Sequence, residues 1–195
     1  MLKAIILIGT VAAALLAYFS LSLYVFPQSY QSIEPRRPQP IVTNVSLSPN
    51  NITLGQALFI SVTGTNKGEE ADMQTISLAF PNLTTTGNIK ILKHNFIQTP
   101  VLRAAGEQLN SEYSNTERPV SAQYASIEAF SRPWESGKTY GANIEVVPKT
   151  EGRFVIFIKS VALPHTWAGA HYPQDGILDH QKEFVEMYSV QVTKP

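Results

Sequence analysis

The chain has 195 residues, with 15 basic and 15 acidic side chains and no formal net charge at pH 7. No basic field exists to hold a nucleic acid, so none is expected as a partner. There is no Cys, which removes disulfides, thiolate metal sites, a cupredoxin-type copper site and Cys nucleophiles together.

Residues 4–26 carry no charged side chain. A helix rises about 1.5 Å per residue, so this run is long enough for a hydrocarbon core of about 30 Å. A signal peptide has an apolar core of roughly 7–15 residues and ends in small residues. This run is longer and ends in Leu23, Tyr24, Val25 and Phe26. The expectation is an uncleaved transmembrane anchor over residues 1–26. Lys3 and the amino terminus favour a cytoplasmic N-terminus, while Arg36 and Arg37 oppose it. Asn44-Val45-Ser46, Asn51-Ile52-Thr53 and Asn82-Leu83-Thr84 fit the glycosylation acceptor pattern and side with an outside domain. The expected protein is single-pass in the cell membrane, with its C-terminal domain extracytoplasmic.

Residues 27–40 read PQSYQSIEPRRPQP, with four prolines and no apolar period. They predict a semi-extended stalk. Residues 41–195 are expected to form one domain, a size at which a core can hold without disulfides.

Within that domain the apolar pattern alternates with period two. Strands are predicted over 41–47 and over 57–65, where Leu58, Ile60 and Val62 share a face. Residues 66–70 turn, with Gly68 able to take a positive φ. Met73 to Phe80 is a strand with Ile76, Leu78 and Phe80 in step, and 89–96 another. Residues 98–119 lack a clear period, and Ala104 to Gln108 admit a short helix inside a long connection. A strand follows over 120–130. Tyr140, Ala142, Ile144 and Val146 then share one face of the next, and 154–163 is apolar on both faces, as a central strand is. Those two strands, joined across 148–152, read as a hairpin at the middle of the core. Residues 184–192 close the chain with Tyr188, Val190 and Val192 in register. About seven or eight short strands separated by turn signals give an all-β, antiparallel β-sandwich.

The span 42–80 has a strand, then SLSPNNITLGQ, then a strand ending in Thr65-Asn66-Lys67-Gly68. It resembles the immunoglobulin-like CARDB-type modules of archaeal and bacterial surface proteins. The segment from Trp134 through Tyr140 to Val161 is similar to their later hairpin. The resemblance implies an extracellular immunoglobulin-like fold and carries no catalytic residues. The stretch 98–119 departs from a compact module of that kind.

The chemically densest segment is 164–186, with His165, His171, Asp175, Asp179, His180 and Glu183. As a helix, Asp175, Asp179 and Glu183 would line one face. Such carboxylates suit Ca²⁺, and the imidazoles suit Zn²⁺ or Cu²⁺. No metal motif of defined spacing matches, and the competing reading is a solvated loop whose Asp and His cap backbone groups. Trp134 and Trp167 are candidate platforms for a ligand or partner, or else lids on the end of the core. No G-x-S-x-G elbow is present. The favoured function is non-enzymatic and needs no cofactor: a membrane-tethered module for binding a protein partner or scaffolding at the cell envelope, such as an accessory subunit of a membrane or surface complex. The alternative is an envelope domain that binds a divalent metal through the 165–183 segment.

Overall fold

The structure, a computed structural model, describes residues 11, 13–18, 37–109, 121–164, 177–178 and 184–195. The chain divides into two units, Met1–Arg36 and Arg37–Pro195. In the first, Val11 and residues 13–18 are helical and exposed. Most of the expected anchor and stalk lies outside the described residues. Among the described residues, no helix is long and apolar enough to cross a membrane.

The second unit is all-β. Its strands are β1 (Pro40–Ser48), β2 (Asn51–Thr53), β3 (Leu58–Asn66), β4 (Ala71–Phe80), β5 (Ile89–His94), β6 (Val101–Arg103), β7 (Ala125–Ser131), β8 (Thr139–Val146), β9 (Gly152–Pro164), β10 (Ile177–Leu178) and β11 (Phe184–Thr193). One sheet has the order β1-β3-β8-β5. The other has the order β10-β11-β9-β4-β7-β6, with β2 added in parallel on β11. In chain order, β1, β3, β4, β5, β8, β9 and β11 take the places A to G of an immunoglobulin constant-type sandwich: A-B-E-D in one sheet, G-F-C in the other. β7 and β6 extend the second sheet beyond the C position.

The alternation read from the sequence fills the space between the sheets. Leu58, Ile60 and Val62 of β3 and Ala142, Ile144 and Val146 of β8 point inward from one sheet. Ile76, Leu78 and Phe80 of β4, Ile127 of β7, and Phe154, Ile156 and Ile158 of β9 meet them from the other. The Phe80 and Phe154 rings stack with centroids 6.2 Å apart.

Three expectations are corrected. β8 and β9 do not form a hairpin. Val146 of β8 already pairs Leu58 on one side and Ile89 on the other, so neither edge is free for β9. The chain instead turns into the other sheet through Gly152, at φ 103°. The short helix suggested near Ala104 is absent. Val101–Arg103 is a strand on the edge of β7, and Gly106 at φ 86° turns the chain back. Finally, the stalk does not run to residue 40. Pro38 and Pro40 are buried, and the Lys67 and Glu69 amides donate to the Gln39 and Arg37 carbonyls. Gly68 makes that docking fit by its size, not by a positive φ: a Cβ there would sit 2.6 Å from the Gln39 nitrogen.

Candidate binding face

In a strand, alternate residues face opposite sides. Ile76, Leu78 and Phe80 of β4 build the core, so Thr75, Ser77 and Ala79 point to the outer face of the larger sheet. The ladder places partners beside them. Met187, Phe157, Ala79, Ser126 and Arg103 form one row across β11, β9, β4, β7 and β6. Lys159, Ser77 and Glu128 form the next row, and Val161, Thr75 and Phe130 the one after it. The face therefore mixes small hydroxyls, aliphatic groups and a line of charges.

A groove of about 280 Å³ lies over this face. Its floor is Ser77, Ala79, Ser126, Phe157 and Lys159. Leu109, Ala122, Tyr124, Leu178 and Val185 contribute its walls. Ligand pockets run from roughly 300 to 1,000 Å³, so this one suits a side chain or a small group better than a large ligand. Hydrogen bonds from Gly106 N to Ala122 O and from Ala122 N to Glu107 O hold the segment on one side of it. On the other side, Ile177, Leu178 and Met187 are exposed apolar side chains, Leu178 at 56%.

Two outward hydroxyls on this face are buried without a hydrogen-bond partner among the described residues: Ser126 Oγ and Thr75 Oγ1. A buried hydroxyl left unpaired costs free energy, and of these two only Ser126 lines the groove. Beside Ser126, Arg103 Nε donates to Glu128 Oε2 at 3.3 Å, and the Glu128 side chain is 5% exposed. That pair ties β6 to β7 on the outer face.

Of the candidate residues from the sequence, only Trp134 is among the described residues. His165, His171, Asp175, Asp179, His180, Glu183 and Trp167 lie outside the described residues. Among the described residues, no group of three or more His, Asp or Glu side chains is placed to hold a metal ion. Trp134 is fully buried. Its indole lies edge-on to Tyr140 at 4.7 Å and to Phe96 at 5.9 Å, and its Nε1 donates to Lys138 O at 2.9 Å. It offers no face to a ligand in solvent, so for Trp134 the core reading replaces the platform reading.

The groove was not read from the sequence, although one signal for it exists. The signal is the run of small residues at 75, 77 and 79, alternating with large apolar ones. It marks a face too polar for a second core and too small-chained for an ordinary solvated surface.

No family model matches the chain. No curated protein matches it either. Solved structures similar to it include the CARDB domain of a Pyrococcus furiosus protein in complex with di-metal ions, at 9% identity and a TM-score of 0.44, covering 81% of this chain and 96% of that one. A cohesin module from a Clostridium perfringens family 33 glycoside hydrolase is similar at 7% identity and a TM-score of 0.40, covering 82% of this chain and 99% of the module. The collagen-binding domain from a Staphylococcus aureus adhesin is similar at 10% identity and a TM-score of 0.34, covering 79% of this chain and 96% of that domain. One of these is of the CARDB kind that the sequence resembles, and what each binds is a property of that protein.

Proposed function

We propose that this chain is a non-enzymatic binding module, held at the cell envelope by an anchor in residues 4–26, with the sandwich outside the membrane. The uncharged run 4–26 is the support for the anchor. The observation that carries the binding function is the outer face of the larger sheet. Its groove keeps Ser126 Oγ buried, with no partner among the described residues, beside the exposed apolar side chains of Ile177, Leu178 and Met187. A partner protein that inserts one side chain there gains apolar contact along Phe157 and Leu178, and it pairs the Ser126 hydroxyl, which is covered in the free chain, where the groove walls shift to admit it. Interfaces take most of their energy from such single anchors in small pockets.

The test uses the full chain in the cells that make it. A photo-reactive residue replacing Leu178 should give one discrete cross-linked species in the membrane fraction. The same residue replacing Phe59, exposed on the other sheet, should not. Equal products from both positions, or none from either, would reject the face. Release of the chain by carbonate washing would reject the anchor.

A further inference from the structure

The three Asn-x-Ser/Thr patterns are not equivalent in the fold, and we infer that Asn44 and Asn51 are N-glycosylated while Asn82 is not. The inference rests on the proposed extracytoplasmic placement of the sandwich. Asn44 is exposed, next to the bulge of the edge strand β1, and pairs Thr63 on the outer side of its sheet. Asn51 is exposed at the start of β2. Neither carboxamide makes a hydrogen bond among the described residues, so each Nδ2 is open to solvent. Ser46 and Thr53, the hydroxyl residues of the two patterns, are exposed as well.

Asn82 is exposed by area but its carboxamide is engaged. Oδ1 accepts from Val155 N at 2.8 Å, and Nδ2 donates to Arg153 O at 3.3 Å. These partners fix which atom is which, because an amide N–H only donates and a carbonyl only accepts. β4 pairs β9 only as far as Ala79 and Phe157. Beyond that point the Asn82 side chain takes the place of a backbone amide and continues the ladder. A two-point pairing of this kind uses the N–H on the same side as the carboxamide oxygen. In a trans secondary amide that position holds the substituent, not the hydrogen. A sugar on Nδ2 would sit where Arg153 O now lies.

The donor would be an oligosaccharide carried on a lipid phosphate. Nδ2 gives up one proton to the transferase's base and bonds the anomeric carbon. The bond from that carbon to the phosphate oxygen breaks, and the lipid phosphate leaves with the electron pair.

The experiment is glycopeptide mass mapping of the full chain, purified from the membranes of the cells that make it. Sugar is expected on Asn44 and Asn51 and absent from Asn82. Asn44→Gln and Asn51→Gln should each remove one step of gel mobility, and Thr84→Ala none. Sugar on Asn82 overturns the inference. So do bare Asn44 and Asn51 in a chain whose domain is digested by protease added outside intact cells. A domain protected from that protease instead rejects the outside placement, and the inference falls with it.

Discussion

The backbone N–H of Gln39 donates to Asn66 Oδ1 at 2.9 Å, which ties the start of the sandwich to the end of β3. Asn66 is fully buried and pairs four backbone groups. Its Oδ1 also accepts from Gly68 N at 3.0 Å, and its Nδ2 faces the Glu69 carbonyl and, at 3.4 Å, the Trp134 carbonyl. One side chain thus joins the lead-in segment, the β3–β4 loop and the Trp134 loop. Asn66→Ala leaves buried donors and acceptors unpaired and should cost about 3 kcal/mol. The midpoint of urea unfolding should drop with little change in slope. Asn66→Asp keeps the two accepted bonds but sets an oxygen against two carbonyls, so it should be destabilised too. An unchanged midpoint for both variants would remove Asn66 as a latch.

Trp134 closes the same end of the core. Trp134→Ala opens a large cavity beside Tyr140 and Phe96, and removes a donor from Lys138 O. Core aromatic truncations of this size cost roughly 3–5 kcal/mol. The exposure of the indole is a separate check. In a Trp167→Phe background, the remaining emission should be blue-shifted and resist acrylamide quenching. Red-shifted, readily quenched emission would return Trp134 to the surface.

Strands β3 and β8 were legible because each buries one face more deeply than the other. Leu58, Ile60 and Val62 alternate with Phe59, Ser61 and Thr63, and the period of two fixes the side that enters the core. Pairing was less legible, since periodicity does not say which sheet a strand joins. The predicted β8–β9 hairpin failed for that reason: each strand carries the right pattern, yet Leu58 and Ile89 occupy both sides of Val146. The end of the stalk was misread because prolines signal extension whether they are solvated or docked, and Pro38 and Pro40 are docked. The groove was missed because Ser126 and Ser77 are ordinary strand residues in sequence. Only the ladder brings Ser126 beside Ala79 and Arg103.

Alkaline pH should weaken the fold through Tyr188. Burial pushes its phenol up to about 12, and the hydrogen bond to Glu186 Oε2 at 2.5 Å and that carboxylate's charge add to the rise. The folded state then holds the phenolic proton more tightly than the unfolded chain, whose tyrosines titrate near 10. Stability from this source is complete below pH 10, falls as pH rises to about 12, and is flat above. Melting temperatures taken across that range should decline for the native chain and decline less for Tyr188→Phe. Parallel curves for the two proteins would assign the decline to other groups.

Ser126 and Thr75 separate a binding face from a merely structural one. Each holds a buried hydroxyl with no partner among the described residues. A buried unpaired polar group costs about 1–3 kcal/mol, so its removal should be favourable where the shape is kept. Ser126→Ala and Thr75→Val conserve backbone and nearly conserve volume. Each should raise stability by about 1 kcal/mol, less than the full penalty because the cavity grows slightly or the methyl must fit. If the face serves binding, the gain in stability comes with a loss of partner capture at Leu178, and the loss should be larger for Ser126, which lines the groove, than for Thr75, which does not. Natural sites commonly keep a residue that destabilises the free fold when a partner needs it. Ser126→Ala that is more stable and still cross-links from position 178 would leave the hydroxyl without a role in recognition. A variant that is less stable would mean that Ser126 Oγ is paired in solution, and the groove would lose the feature that marks it.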